Sequence, residues 1–238
     1  MSKNLMLLSN SSIPGQPFFG WPKPHVQNWL PEGTKFLFIP FAGFYLGYDE
    51  YEKIVRKPFE EMGYELTSIH HDVNPIQAIE NAEAIAVGGG NTFYLADKIQ
   101  RLGLYDTLKS KVENGTPYIG WSAGANLCCP TIFTTNDMPI VEPPSFKGLD
   151  LFPFQINAHY TDETLDGHGG ESRDQRLKEC MIANQHLAIV GLREQSFFYL
   201  SDKKLLLDGN KGMRLFRYNE AYVDYKPKDD VSFLLNNA

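Results

Sequence analysis

Tyr118-Ile119-Gly120-Trp121-Ser122-Ala123-Gly124-Ala125-Asn126 is the stretch that indicates the fold, because an apolar run leads into small residues suited to a helix. It places Gly-x-Ser-x-Gly between a predicted strand and a predicted helix, the context in which this motif marks a sharp turn with an exposed serine. The serine takes a strained backbone conformation there, and both glycines remove side chains that would clash. Ser122 would project at the carboxyl end of the sheet, where open α/β sheets place their sites. Alone, the motif is explained equally well by a glycine-rich turn with an incidental serine.

Around this stretch, short apolar runs alternate with amphipathic segments. Most of the runs are almost continuously apolar, as expected for strands covered on both faces, and they comprise residues 5–8, 35–39, 65–69, 84–87 and 118–121. The predicted helices comprise residues 48–62, 91–101 and 105–114, the first with a kink or break at Pro58 and a C-terminal cap at Gly63. This alternation predicts an α/β fold, with a doubly wound, mostly parallel sheet and helices on both faces.

The pattern changes after Ile132. Residues 151–156 are a predicted strand and residues 172–184 a predicted helix. Four later strands are predicted at residues 187–192, 197–200, 204–207 and 213–217, the last of them antiparallel around an Asp208-Gly209-Asn210 turn. No repeat or linker interrupts the chain, so residues 1–238 are predicted to form one domain.

The composition excludes several classes of protein. Its 42% hydrophobic and 21% charged residues are ordinary for a globular chain. The net charge of −7 argues against nucleic acid or membrane partners, which need a basic excess, and an acidic substrate would need a local basic group. Three cysteines predict no disulfide framework, and the N-terminal apolar run is too short for a signal peptide. We therefore expect a cytoplasmic protein.

A second glycine-rich turn, Gly88-Gly89-Gly90-Asn91, follows the predicted strand at residues 84–87. Its N–H groups suit an anion or an oxyanion, and the absence of Gly-x-Gly-x-x-Gly makes a nucleotide phosphate the weaker reading. A tight turn would explain one glycine but not three in a row. Gly88, Gly89 and Ala123 are therefore the candidates for an oxyanion hole.

A nucleophilic serine needs a base, and the base needs an orienting acid. His159 is the candidate base because it follows the predicted strand at residues 151–156, although any single histidine is more often structural. Glu194 and Asp137 are both candidates for the acid, and their spacing does not choose between them. His168 lies among glycines and is a weaker candidate.

His70-His71-Asp72 resembles a metal-binding sequence, but we interpret it as the end of a strand. Neighbouring residues of a strand point to opposite faces, and no further ligands follow at a suitable spacing. We expect neither a metal nor another cofactor.

These motifs together resemble the peptidase E, or aspartyl dipeptidase, family of serine peptidases. The resemblance extends to about Glu194 and is carried by residues 7–11, 38–43, 87–93, 120–127, 134–141, 151–153 with 155–157, and 170–176. It implies a fold related to class I glutamine amidotransferases, which is flavodoxin-like. Those relatives have a cysteine where this chain has Ser122.

The resemblance also implies roles for individual residues. Ser122 maps onto the nucleophile and His159 onto the base, while Glu194 and Asp137 both map onto descriptions of the third member. The implied substrates are dipeptides and short peptides with N-terminal aspartate. Arg173 is expected to pair with the aspartate side chain, and Asn91 is a further predicted substrate-binding residue.

Two alternatives stay open beside a serine dipeptidase. An esterase or other acyl hydrolase on the same scaffold would need a larger apolar pocket and no buried arginine. A non-catalytic ligand-binding homologue would have lost the serine, the base or an oxyanion glycine, and this chain retains all three. The expected partner is a small peptide, and the oligomeric state stays open, a homodimer included.

Overall fold

The structure is a computed structural model that describes residues 3–163 and 169–236. Its strands are β1 Asn4–Leu8, β2 Lys35–Ile39, β3 Glu65–Ser68, β4 Ala84–Val87, β5 Tyr118–Trp121, β6 Phe154–Tyr160, β7 Ala188–Arg193, β8 Ser196–Ser201, β9 Lys204–Gly209, β10 Met213–Phe216 and β11 Val223–Tyr225. Its helices are α1 Lys23–Gln27, α2 Tyr48–Glu61, α3 Pro75–Asn81, α4 Thr92–Arg101, α5 Tyr105–Glu113, α6 Ala123–Asn126 and α7 Arg173–Ala183. Short 3₁₀ turns comprise Ile69–His71 and Ser232–Leu235.

The strands form two sheets. The larger has seven strands in the order β3-β2-β4-β5-β1-β8-β9, of which the first five are parallel and the last two antiparallel. The smaller has the order β11-β10-β7-β6, with only β6 and β7 parallel. The predicted mostly parallel α/β fold with antiparallel strands near the C-terminus is confirmed, but the sequence did not predict the division into two sheets.

The larger sheet is covered on both faces. Alternate residues of β1 and β2 belong to two different apolar clusters, because successive side chains of a strand point to opposite sides. One cluster includes residues of α3, α4 and α5, and the other includes residues of α1 and α2. This two-sided burial explains why these strands read as continuous apolar runs.

Three local predictions need correction. The strand predicted at residues 151–156 is β6, Phe154–Tyr160. Leu151, three residues before the start of β6, is apolar but belongs to a loop, where its N–H donates to the carbonyl of Cys128. The turn at Asp208 joins no antiparallel pair, because β9 pairs with β8 and β10 pairs with β7, so the chain changes sheets there. Pro58 does not break α2, because the helix continues past it to Glu61.

Other boundaries agree with their sequence signals. Gly63 follows α2 with a φ of 83°, the left-handed conformation expected of a glycine cap. Asn91 caps α4 and Ser172 caps α7, each through its side-chain oxygen. His168 lies outside the described residues. None of the helices in the described ranges combines the length and the hydrophobicity of a membrane span.

Candidate active site

Ser122 lies in the sharp turn between β5 and α6. Its φ of 52° and ψ of −111° are a strained conformation for a residue with a side chain. Its N–H donates to the carbonyl of Leu8, which ties the turn to β1. A Cβ at Gly120 would lie 2.5 Å from the carbonyl oxygen of Gly124, and one at Gly124 would lie 2.2 Å from that of Val87. Close backbone packing therefore requires both glycines of the motif.

The Ser122 hydroxyl is the first member of a chain of three side chains. Its Oγ lies 2.8 Å from Nε2 of His159, and Nδ1 of His159 lies 2.7 Å from Oε1 of Glu194. The ring is partly exposed, with 42% of its side-chain surface accessible, so a substrate can reach it. These contacts place a base on the serine and a carboxylate on the far ring nitrogen, the arrangement that activates a serine nucleophile.

His159 and Glu194 come from irregular parts of the smaller sheet. His159 lies inside β6, not after a strand as predicted, and has a φ of 54°. The pairing of β6 with β7 shifts its register between Asn157 and Tyr160, and such an irregularity redirects a side chain. Glu194 lies in the two-residue connection from β7 to β8, where the chain passes from the smaller sheet to the larger.

Asp137, the other candidate acid, does not contact the imidazole. Its Oδ2 accepts hydrogen bonds from the Thr92 N–H and the Thr135 hydroxyl, both at 2.8 Å. The carboxylate thus satisfies an N–H of the first turn of α4, a group that has no partner within its helix. Because Ser122 and Glu194 already occupy both ring nitrogens of His159, the geometry favours Glu194 over Asp137 as the orienting acid.

Sequence reasoning missed Ser9, a buried residue directly after β1. Its Oγ accepts the His159 N–H at 2.9 Å and donates to the carbonyl of Leu192 at 2.8 Å. The neighbouring Asn10 accepts the Gln195 N–H through Oδ1 at 2.7 Å. The end of β1 therefore holds the backbone on both sides of the imidazole–carboxylate pair. The signals in the sequence were a polar pair at the end of an apolar strand and its position within residues 7–11, one of the stretches that carry the family resemblance.

The three candidate oxyanion donors differ in whether their N–H groups already bond to another part of the protein. The Gly88 N–H donates to the carbonyl of Ile39 and continues the pairing of β4 with β2, which corrects its prediction as a donor. In the part of the chain that the structure describes, the N–H groups of Gly89 and Ala123 have no protein acceptor. A Cβ at Gly89 would lie 3.0 Å from the Ser122 Cβ, so this glycine lies directly beside the serine. Gly89 and Ala123 are the pair that suits an oxyanion.

The serine and histidine open into a cavity of about 700 Å³. Its wall is mostly apolar and aromatic, with Phe18, Phe44, Tyr45, Leu46 and Ile140 among the lining residues.

One buried polar group in the cavity wall is the hydroxyl of Tyr51. It donates to the Gly89 carbonyl and accepts from the Trp121 indole, both at 3.0 Å. Burial raises the pKa of Tyr51, so the phenol stays neutral and holds the Gly89 turn in place.

The two predicted substrate-binding residues have different positions. Asn91 lines the cavity, and both ends of its amide are occupied, by the Tyr94 N–H and the Met138 carbonyl. Arg173 begins α7 and is partly buried, and it is not among the residues that line the cavity. Its role as the specificity residue stays a prediction.

The residue before Glu194 is held by ion pairs. Arg193 bonds to Asp162 at 2.9 Å and to Asp224 at 2.7 Å, and Asp224 also bonds to Arg214. Arginine hydrogen bonds outweigh the effect of burial and lower the pKa of both carboxyl groups. These pairs fix the end of β7 and so the start of the connection that carries Glu194.

Comparison with known proteins identifies relatives over most of the chain. The model of "Peptidase family S51" matches residues 5–207. A protein named Peptidase E from Nostoc sp. (strain PCC 7120) is 46% identical, covering 100% of this chain and 99% of its own. Peptidase E from Salmonella newport is 44% identical, covering 92% and 96%. The crystal structure of a peptidase from an acI-B1 Actinobacterium has the same fold, with a TM-score of 0.68, 16% identity and 98% of each chain covered. The chain therefore belongs to peptidase family S51, the family of serine peptidases that its sequence resembles.

Proposed function

We propose that this serine peptidase is a dipeptidase that releases N-terminal aspartate from Asp-X dipeptides and short peptides. The observation that carries the proposal is the continuous hydrogen-bonded chain from Ser122 through His159 to Glu194. The substrate class comes from the peptidase E resemblance, and relatives with that name are 43–46% identical to this chain over most of its length.

In the proposed mechanism, Nε2 of His159 takes the hydroxyl proton as the Ser122 Oγ attacks the scissile carbonyl. Glu194 holds Nδ1–H, keeps Nε2 free to accept the proton, and stabilises the imidazolium that forms. The Gly89 and Ala123 N–H groups donate to the oxyanion of the tetrahedral intermediate. His159 then protonates the leaving amine. A water activated by His159 hydrolyses the acyl-enzyme and releases aspartate.

Arg173 is the proposed partner of the substrate's aspartate side chain. Among the described residues, no carboxylate lies within 4.0 Å of its guanidinium nitrogens, whereas Arg193 and Arg214 are fully engaged in ion pairs. A guanidinium can hold a carboxylate with two parallel hydrogen bonds, and a chain of net charge −7 needs such a local cation to attract an acidic substrate.

A hydrolysis panel of Asp-X, Asn-X, Glu-X and simple esters tests the substrate class. We expect Asp-X to have the highest kcat/KM and a parallel preparation of Ser122→Ala to be inactive, which excludes a contaminating peptidase. Equal rates on Asp-X and Asn-X would contradict recognition of the carboxylate.

The esters test the second candidate, an acyl hydrolase. The mostly apolar cavity wall and the position of Arg173 outside it favour this alternative. Ester turnover with no hydrolysis of any peptide in the panel would replace the dipeptidase assignment.

We also propose that the enzyme acts in the cytoplasm. Cys128, Cys129 and Cys180 are all free thiols, which suits a reducing compartment. Fractionation of cells that express the chain at its native level would test this, with activity in the periplasm or medium as the contrary result.

A further inference from the structure

Four potential metal ligands meet between the start of α2 and the 3₁₀ turn after β3. They are Asp49, Glu52, His70 and His71, and one ligand atom of each lies within 4.8 Å of all the others. The closest pairs are His71 Nε2 with Glu52 Oε2 at 2.7 Å and His70 Nε2 with Asp49 Oδ1 at 2.9 Å. The two crossed pairs are each 3.9 Å apart. None of the four residues lines the cavity of Ser122.

The local backbone explains why both histidines contribute. A strand end, as expected from the sequence, would point the two rings to opposite faces. The chain instead forms a 3₁₀ turn at Ile69–His71, and the centroids of the two rings lie 3.9 Å apart. In a turn of three residues, neighbouring side chains are not opposed, so the expectation that excluded a metal does not apply.

We propose that these four side chains bind one zinc-class transition-metal ion. Zinc bonds of about 2.0–2.2 Å to nitrogen and oxygen in a tetrahedral site place neighbouring ligand atoms roughly 3.3–3.6 Å apart. The two shorter nitrogen–oxygen distances, 2.7 and 2.9 Å, are below that range, and the two crossed distances, 3.9 Å each, are above it. Small side-chain rotations would therefore complete the coordination. Imidazole with carboxylate is also a donor set that suits zinc, whereas magnesium and calcium prefer oxygen ligands alone.

The surrounding contacts orient the ligands. The Ser68 hydroxyl lies 2.7 Å from Nδ1 of His70, which leaves Nε2 of that ring directed at the cluster. Arg56 bonds to Oε1 of Glu52 and leaves Oε2 for the metal. Such outer contacts are a regular feature of metal sites because they hold the ligands in place.

The site is open on one side. The Glu52 and His70 side chains are only 9% and 11% exposed, whereas those of His71 and Asp49 are 59% and 75% exposed. An ion can therefore enter from solvent and bind against the two buried ligands. The same atoms form hydrogen bonds between each carboxylate and its nearest imidazole.

A bound ion would fasten α2 to the turn after β3. The ring of Tyr48, the first residue of α2, packs on His70 with 5.6 Å between centroids. The segment just before it supplies Gly43, Phe44 and Leu46 to the cavity wall. Metal binding is thus expected to raise the Tm and to leave the chemistry to Ser122.

A cobalt titration tests the proposal. The full chain is stripped with a chelator and titrated with Co²⁺, whose visible absorption reports coordination, and then with Zn²⁺ as competitor. We expect one saturable site per chain. Asp49→Asn and His71→Ala alter exposed ligands and should weaken binding by more than the roughly 10–100-fold that loss of an outer contact typically costs.

Two further variants serve as controls. His186→Ala removes an exposed histidine elsewhere, and His159→Ala removes the imidazole at Ser122. Both should bind Co²⁺ as the wild type does. The proposal is overturned by a wild type with no saturable site, by affinity that Asp49→Asn and His71→Ala leave unchanged, or by a loss of binding confined to His159→Ala.

Discussion

In the larger sheet, the residues that set the geometry of Ser122 are its immediate neighbours Gly120 and Gly124, which fit tightly against the backbone. In the smaller sheet, His159 depends on Ser9, which is 150 positions away along the chain. Glu194 lies where the chain passes between the two sheets. The nucleophile's geometry is thus encoded locally, whereas the geometry of the base and acid is a product of how the two sheets meet.

The largest effect on activity is expected at Ser122, whose geometry is set by its immediate neighbours. Ser122→Ala removes the proposed nucleophile and should lower kcat by about 10⁶-fold, the typical loss for such a group. Unfolding curves should stay close to wild type, because the side chain carries no packing role in the core. Near wild-type turnover in steady-state assays would exclude Ser122 from the mechanism.

The sequence alone predicts Ser122 and the strands around it for a physical reason. Strands covered on both faces give continuous apolar runs, and β2, β4 and β5 begin and end where those runs do. The turn at Ser122 adds two glycines, each two positions from the serine. All of this information lies within a few consecutive residues.

Glu194→Gln tests the contribution of the sheet junction. The amide keeps the shape but favours the wrong imidazole tautomer, and we expect kcat to fall by about 10⁴-fold, as for the equivalent acid-to-amide change in a serine protease. Asp137→Asn is the matched control and should retain most activity. The reverse order of the two variants would assign the orienting role to Asp137.

Arg173→Ala tests the segment that follows β6. Loss of a buried hydrogen-bonded charge pair costs roughly 2–5 kcal/mol. Because Arg173 is only partly buried, we expect a loss near the lower end of that range in kcat/KM for Asp-X and none for neutral dipeptides. Arg176→Ala, an exposed neighbour on the same helix, should change neither. An equal loss on both substrates would mean that Arg173 has a structural role.

Ser9→Ala tests the link between the sheets most specifically. Without the hydroxyl, the strained His159 backbone loses its acceptor, and a displacement of about 1 Å can cost on the order of 10²-fold in rate. We expect a lower kcat with little change in KM and an altered pH profile of kcat. Ser12→Ala, at an exposed serine nearby, should behave as wild type. A Ser9 variant that only lowers the Tm would show a structural role alone.

The smallest effect on rate is expected at Asp137. Asp137→Ala removes the acceptor for the Thr92 N–H and should lower the free energy of unfolding by about 0.5–2 kcal/mol, the usual cost of a lost helix cap. Activity per folded molecule should stay near wild type. Urea denaturation and an activity assay on the same preparation would separate the two effects.

The sequence did not predict how the smaller sheet positions His159 and Glu194. Hydrophobic periodicity placed the start of β6 three residues early, since Leu151 is as apolar as a strand residue. Hydrophobic periodicity also gives no indication of the register shift at His159 or of the positive φ there. The choice between Glu194 and Asp137 depends on which loop lies against the imidazole, and only the three-dimensional arrangement determines that.

Covalent labelling reports whether His159 and Glu194 activate Ser122. A fluorophosphonate reacts with a serine that a neighbouring base has activated, and peptide mapping by mass spectrometry then locates the adduct. We expect one adduct per chain, on Ser122, with slower labelling in both His159→Ala and Glu194→Gln. An adduct on another residue, or a labelling rate that neither variant changes, would contradict a nucleophile activated across the two sheets.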